Sequence, residues 1–501
     1  MIPPHHNVAT LARTESSKIS MAEILVRMEL VDQNIKLLGE EGAISPLVEM
    51  ASRSLESKKS SLAALSKLSN HHDNKNQIAA AGGVPLVLEQ MFSPHVPSLI
   101  RISCSEILER LTEDGIEFLV NESGNLLELE SIIANLFSIQ QSKASSHSIR
   151  KPSLRALLGI YKSEEEFKEK AIVGAKGVTV ILPLLEDSDP EVRELAVSLL
   201  FHLAQYEPQA IVDFLLLNQR LKSFMGFLED ESRDDVRMAA AGLLANLPKS
   251  ELALTKSLIE LEALPLILNI LKSGTMKAKE NALSVLFRFT DPTNLEMQRM
   301  VVELEAYPLL ISFLKLGSVT AKARAAALIG NLSLNSPKLT AVPEKTGCWC
   351  LRRARISFCE AHGGVCNIKT SFCLIKANAL PELVKLLREG VNETFIEALR
   401  ALATLIQGDS SSKGASVLHE ANAIDPMLEA LIWGSSSLKE EILFILEKVF
   451  ANREVGDIYC SKARIPLVTL TTQSHEDGQL GRKAGVVLAQ LERCSRSMPL
   501  I

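Results

Sequence analysis

The chain has 501 residues, of which 47% are hydrophobic and only 4% aromatic, with a formal net charge of −6. That balance disfavours bulk attraction to nucleic acid, and no apolar run approaches the roughly 18 residues of a membrane-spanning helix. The opening MIPPHHNVATLARTESS has no apolar segment of the secretory kind, so the eight cysteines are expected as reduced thiols in the cytoplasm, with the nucleus or the plasma-membrane periphery as alternatives.

Residues 1–20 are polar and read as a flexible N-terminus. Beyond them two phrases alternate. The first is a small residue, an apolar residue and a proline ahead of an apolar run. It appears as EGAISPLVEMA at 41–51, AGGVPLVLEQM at 81–91, LEALPLILNIL at 261–271 and LEAYPLLISFL at 304–314. It returns as ANALPELVKLL at 377–387, ANAIDPMLEAL at 421–431 and KARIPLVTL at 462–470. The small residue is expected to end one helix, and the proline to sit in the first turn of the next, where its missing N–H is harmless.

The second phrase is an Ala/Leu-rich helix: VRELAVSLLFHL at 192–203, VRMAAAGLLANL at 236–247, AKENALSVLFRF at 278–289 and AKARAAALIGNL at 321–332. In the second of these, Val236, Ala239, Ala240, Leu243, Leu244 and Leu247 keep the three-and-four spacing of one buried stripe. The prolines set the period: Pro46 and Pro85 stand 39 residues apart, Pro265 and Pro308 43, Pro381 and Pro426 45, Pro426 and Pro466 40. A period of about 40–47 with short and long helices marks HEAT or armadillo arrays. The order of short helix, Pro-led helix and Ala/Leu-rich helix resembles the armadillo repeat.

The expected fold is therefore all-α, a right-handed α-solenoid of about ten armadillo-type repeats. About seven repeats fill 21–336 and about three fill 373–494, followed by a C-terminal tail at 495–501. A polar loop is expected at 138–148 (SIQQSKASSHS). Pro308 and Pro381 are 73 residues apart, so an irregular Cys/His-rich insertion is placed at 337–372.

In armadillo arrays that bind extended peptides, the last helix of each repeat lines a groove and presents an asparagine to the ligand backbone. The matching positions here include Lys67, Arg110, His202, Asn246, Arg288, Asn331 and Lys448. Only Asn246 and Asn331 are asparagine, which argues against a groove for basic peptides, whereas four of the ten matched positions are Lys or Arg. That points to an acidic or phosphorylated protein segment as partner. The plain alternative is that these long side chains cover apolar neighbours.

The insertion gathers Cys348, Cys350, Cys359, His362, Cys366 and Cys373. Thiolates and an imidazole at short spacing in a reducing compartment are zinc chemistry, although the paired C-x2-C knuckles of common zinc folds are absent. Buried free thiols are the alternative. A third reading takes Cys348 and Cys350, beside Trp349, Arg352, Arg353 and Arg355, as an acylated or membrane-surface loop. No catalytic constellation stands out. Gly82-Gly83 lacks a following Lys-Ser/Thr, and Asp187, Asp189 and Glu191 read as acids at a helix N-terminus.

The stretch CEAHGGVCNIKTSFCLIKANALPELVKLL resembles the C-terminal region of plant U-box ubiquitin ligases with armadillo repeats, of the senescence-associated type. The likeness rests on Cys359, His362, Gly364, Cys366, Phe372, Cys373 and Leu374. It implies a setting in ubiquitination, where a U-box recruits the conjugating enzyme and the armadillo array selects the protein to be modified. Residues 1–40 are too short for a U-box, so the chain is expected to be the recognition part alone, a non-catalytic scaffold for a protein partner or ubiquitination substrate. An active ligase and a membrane-surface adaptor are the alternatives.

Overall fold

The computed structural model describes residues 14–113, 115–142, 146–163, 176–341, 358–407, 411–473 and 478–495. The alternating phrases fold as a recurring three-helix order. Leu252–Glu260, Ala263–Ser273 and Met276–Leu286 form one set, and Leu295–Glu303, Ala306–Leu316 and Val319–Ser333 the next. His72–Ala80, Gly83–Phe92 and Ser98–Leu111 repeat the order earlier, and Ser411–Glu420, Ile424–Trp433 and Ser436–Val449 later. Among the described residues the only β contacts are two isolated bridges, Val120–Leu126 and Ala341–Val365. The fold class is the all-α solenoid expected from the period. No described helix is long and apolar enough to cross a membrane.

The chain gathers into two compact units. One takes the residues up to Phe227 with Asn246–Pro248, the other Leu228–Ala245 and the residues from Lys249 onward. Within both, the junction before each Pro-led helix uses the same device. Gly42, Gly82, Glu262, Glu305, Asn378 and Asn422 all adopt left-handed backbone, with φ of 75°, 73°, 55°, 61°, 56° and 56°. The small residue that follows is buried and packs, while the proline falls in the first turn, as Pro85 does at the third position of Gly83–Phe92. The small residue itself therefore does not end the first helix; the residue before it does.

Two expectations are corrected. KARIPLVTL contains no junction: a single helix runs Arg453–Gln473 with Pro466 inside it. Lys462 and the buried Ala463, which match the left-handed residue and the small residue of the Gly42 and Asn422 junctions, both stay helical. The helix continues and accepts the hydrogen bond lost at proline. The polar loop at 138–148 is also shorter than expected. Leu129–Gln141 remains helical because Phe137 and Ile139 are buried, and the next helix starts at His147.

Buried amides stitch neighbouring repeats. Asn74 Nδ2 donates to the carbonyls of Ile35 and Leu68, both at 2.9 Å. Gln298 Nε2 donates to those of Thr290 and Asn331 at 2.9 and 3.0 Å. The Leu68, Thr290 and Asn331 carbonyls lie at helix ends that would otherwise leave them open, and the Ile35 carbonyl lies within the Asp32–Glu40 helix. The stripe read at 236–247 is buried as expected, within the Asp234–Asn246 helix and the residue after it.

The helices on either side of the insertion meet directly. Val319–Ser333, before it, packs directly on Asn392–Ala403, after it, so closely that a Cβ on Gly330 would lie 3.3 Å from the Ala401 Cα. Lys322 pairs with Glu389 at 2.9 Å and Lys315 with Glu382 at 3.7 Å across the same junction.

Candidate metal centre and partner-binding face

The chain enters the insertion from the Ser336–Leu339 helix and pairs Ala341 with Val365, the Val365 N–H donating at 2.8 Å. Cys359 opens a tight turn in which Gly363 N donates to its carbonyl at 2.8 Å, while its own N–H reaches Gly364 O at 2.7 Å. Gly363 is left-handed at φ +67°, and a Cβ on Gly364 would stand 2.7 Å from Ala341 O. Both glycines of the His-Gly-Gly run are thus required by the turn and by the close approach behind it.

Asn367 then caps the short helix Ile368–Ser371, its Oδ1 accepting from Thr370 N at 2.8 Å. The helix stops at Phe372, buried and left-handed at φ 50°. The Phe372 carbonyl accepts from the hydroxyls of Ser333 at 3.0 Å, Ser336 at 3.1 Å and Tyr307 at 3.3 Å. This hub fixes Cys373, the next residue.

The result is a convergence of four side chains. Cys359 Sγ lies 3.5 Å from His362 Nδ1 and 3.7 Å from Cys373 Sγ, and His362 Nδ1 lies 3.3 Å from Cys366 Sγ. All four donor atoms fall within 4.8 Å of one another, and all four residues are buried. Three sulfurs and an imidazole nitrogen so arranged can hold a metal ion.

The sulfurs have partners beyond each other. Thr340 Oγ1 stands 3.1 Å from Cys366 Sγ, and the backbone N–H groups of His362 and Lys376 serve Cys359 and Cys373. Hydrogen bonds from the Cys366 and Cys373 thiols hold the Cys359 thiol below its ordinary range against the opposing effect of burial. Burial works against charge on His362, but Cys359 and Cys366 outweigh it and raise the imidazole to about 9. His362 Nδ1 faces the sulfurs, while the buried Nε2 has no hydrogen-bond partner among the described residues. Leaving that atom unpaired costs about 1–3 kcal/mol, so the ring's orientation is set from its sulfur side.

Of the six candidate ligands read from the sequence, the structure brings together Cys359, His362, Cys366 and Cys373. Cys348 and Cys350 lie outside the described residues, as does the Arg352, Arg353 and Arg355 run beside them.

The seven groove candidates do not meet at one point. Lys67 Nζ donates to Met28 O at 2.9 Å, Arg110 to Ser66 Oγ at 2.8 Å, and the exposed Asn246 to Phe201 O at 3.3 Å. The His202 ring leans on Phe201, and Lys448 Nζ sits 4.4 Å above the Phe444 ring. Asn331 is half-buried, with its backbone carbonyl bound by Gln298. Arg288 is only 4% exposed and donates to Thr255 Oγ1 at 3.2 Å.

Charge nevertheless concentrates beside two of these positions. Arg110 shares a concavity of about 370 Å³ with Arg155, Lys162, Leu158 and Leu195, and also with Glu109 and Glu113, the first of which pairs with Arg155 at 2.9 Å. In the other unit, Lys249 feels the charges of both Arg288 and Arg324. Partial desolvation, then the Arg288 and Arg324 charges, push the Lys249 ammonium below its ordinary range. Sequence reasoning missed Arg155, Lys162, Lys249 and Arg324, although the basic spacing of Arg150, Lys151, Arg155 and Lys162 along one helix was a usable signal.

No protein-family model matches the chain. It is 24% identical over 522 residues to a putative U-box domain-containing protein 42 of Arabidopsis thaliana, covering 96% of this chain and 50% of that protein. It is 25% identical over 454 residues to U-box domain-containing protein 44 of the same plant, covering 84% and 56%. The homologues of this chain are plant U-box domain-containing proteins. U-box domain-containing protein 24 of Oryza sativa subsp. japonica extends the likeness to rice, at 23% identity over 533 residues, 95% of this chain and 64% of that protein. The chain spans about half to two thirds of the length of these relatives. Among solved structures, the crystal structure of an engineered protein superimposes with a TM-score of 0.61 at 19% identity, covering 90% of this chain and 98% of that one. This supports the fold alone.

Proposed function

We propose that the chain is a non-catalytic protein-binding scaffold of the plant U-box ligase lineage, recognising an acidic or phosphorylated segment of a partner or ubiquitination substrate. The observation that carries this is that Lys249 feels the charges of Arg288 and Arg324, while Glu251 acts on Arg288 and Glu280 and Glu393 act on Arg324. Like charges oppose each other, and a carboxylate or phosphate placed beside the exposed Lys249 and the half-buried Arg324 relieves that opposition. Arginine forks suit such groups geometrically. Arg110, Arg155 and Lys162 line a second concavity with Leu158 and Leu195, where Glu109 and Glu113 offset part of their charge and Glu109 pairs with Arg155. A structural zinc ion at Cys359, His362, Cys366 and Cys373 belongs to the same reading, as part of the framework rather than of any chemistry on a substrate.

The test is anisotropy with fluorescent peptides, acidic, phosphorylated and basic, at two salt concentrations. The acidic and phosphorylated peptides should bind, more weakly at high salt. Lys249→Glu with Arg324→Glu should lower their affinity at least about tenfold, or 1.4 kcal/mol. Unchanged affinity in a variant with wild-type circular dichroism removes this face as the site.

The names of the relatives favour one second reading, an active ubiquitin ligase. It predicts self-ubiquitination by this chain in the presence of an activating and a conjugating enzyme. The scaffold reading predicts none.

A further inference from the structure

Resting on the zinc assignment just made, we infer that the ion is a staple: bound by Cys359, His362, Cys366 and Cys373, it closes the insertion and so lets the helices on either side pack as consecutive repeats. The donor spacing fits. Zinc bound tetrahedrally with Zn–S of about 2.3 Å and Zn–N of about 2.0–2.1 Å separates two sulfurs by roughly 3.8 Å, and a sulfur from a nitrogen by roughly 3.6 Å. The observed separations are 3.7 Å for Cys359 to Cys373, and 3.5 and 3.3 Å for His362 to Cys359 and Cys366. Four protein donors leave no open position, which marks a structural rather than a catalytic site.

A disulfide explains the cluster less well. It would join two of the three sulfurs and leave a buried thiol and an imidazole facing each other without purpose. The partners of the sulfurs also fit a metal. Thr340, ahead of the insertion, meets Cys366, and the N–H of Lys376, beyond it, serves Cys373. Such outer contacts orient thiolate ligands and temper their charge.

The staple has something to hold. Between Cys359 and Asn378 the one helix is the four-residue Ile368–Ser371, and a helix that short has no independent stability. Ile368–Ser371 packs on Leu295–Glu303 and Ser336–Leu339, and Leu374 is buried. Cys359 and Cys373 are the two ends of this segment. Joining them through one ion removes the loop entropy that would otherwise favour its release. With the segment held, Val319–Ser333 and Asn392–Ala403 keep their direct contact.

The test uses the full chain, expressed with zinc and purified without chelator. Metal analysis should find one zinc per chain, and cobalt exchanged for it should show the ligand-field bands of a tetrahedral thiolate site. Removing zinc with a chelator should speed both alkylation of Cys359, Cys366 and Cys373 and hydrogen exchange across 359–379 by about tenfold or more, with zinc restoring both. Exchange across 319–333 and 392–403 should rise with it. Less than about one zinc per ten chains overturns the zinc assignment and the staple together. One zinc per chain whose removal leaves exchange at 359–379 unchanged overturns the staple and keeps the site. Cysteine-to-serine variants within the cluster risk misfolding, so two gentler variants decide the ligand set. His362→Cys, which keeps four donors, should retain zinc, as should Cys348→Ser with Cys350→Ser. Loss of zinc in the second would overturn the four-residue assignment.

Discussion

Phe372 is the position where two opposing energies can be separated. Its side chain is fully buried, while its backbone is left-handed at φ 50°, a conformation that a residue with a Cβ adopts at a cost of roughly 1–2 kcal/mol. The three hydroxyls on its carbonyl hold it there. Replacing it by alanine keeps the backbone cost and loses the ring, which is worth about 3–5 kcal/mol for a buried phenylalanine. Replacing it by glycine loses the same ring but abolishes the backbone cost, while adding about 0.4–1 kcal/mol through the freer unfolded chain. The burial term dominates, so both variants should open more readily around 366–379. The difference between them should favour glycine by about 1 kcal/mol, roughly fivefold in the opening equilibrium. Native-state hydrogen exchange with zinc present in excess measures this, since an array of this length does not unfold as a single two-state unit. At an ordinary position alanine would be the better protected of the two. That order at residue 372 would show that the backbone there carries no strain, and the account of how Cys373 is positioned would fail.

Two further outcomes follow from the first unit. A Cβ on Gly159 would lie 1.8 Å from Thr112 O, a backbone atom that cannot step aside. Gly159→Ala should therefore destabilise the Ser98–Leu111 and His147–Lys162 pair, despite alanine's advantage of about 1 kcal/mol as a helix former; a raised melting temperature would contradict this. Lys151 pairs with Asp189 at 2.6 Å and Glu191 at 3.0 Å, and chiefly through that lysine both carboxyls lie below the ordinary range. A carboxyl lowered in the folded state contributes stability that is present above the unfolded value of about 4 and is lost as pH falls through the folded one. Melting temperature should hold from pH 7 to about 5 and fall below about pH 4. The fall should be smaller in Asp189→Asn with Glu191→Gln, and an equal fall in variant and wild type would discount the pairing.

Much of the fold was legible because its determinants are local or periodic. The proline intervals and the stripe from Val236 to Leu247 encode helices whose apolar sides need neighbours, and the 73-residue gap between Pro308 and Pro381 located the insertion. Asp189 read as an acid at a helix start and is an N-cap, its Oδ1 accepting from Glu191 N at 3.0 Å. The junction residues were harder to read. Glu262 and Glu305 do what Gly42 and Gly82 do, although glutamate has no preference for left-handed backbone, so only the packed context forces it. KARIPLVTL carries the proline and the buried small residue of a junction, yet Lys462 and Ala463 stay within one continuous helix. The basic neighbours of Arg288 come from different repeats, and no local pattern links Lys249 to Arg324. Of the site, the residue types were visible and the convergence of Cys359, His362, Cys366 and Cys373 was not, because it depends on where Phe372 turns the chain.

That turn also explains how a repeat array can absorb so long an interruption. In the other sets a short first helix precedes the Pro-led helix, and consecutive first helices touch, as Asp32–Glu40 and His72–Ala80 do. Ahead of Leu380–Glu389, among the described residues, the four residues Ile368–Ser371 take the place against Leu295–Glu303. Buried Phe372 and Leu374 continue the core there, and left-handed Asn378 then restarts the ordinary junction. A first helix holds its shape through its own backbone bonds, which four residues cannot supply. The substitute must be held from outside, by the hydroxyls of Tyr307, Ser333 and Ser336 at one end and by the cysteine–histidine cluster across its span. The segment 368–374 thus stands in for a first helix and is held by side-chain contacts, while Val319–Ser333 and Asn392–Ala403 pack on each other past it.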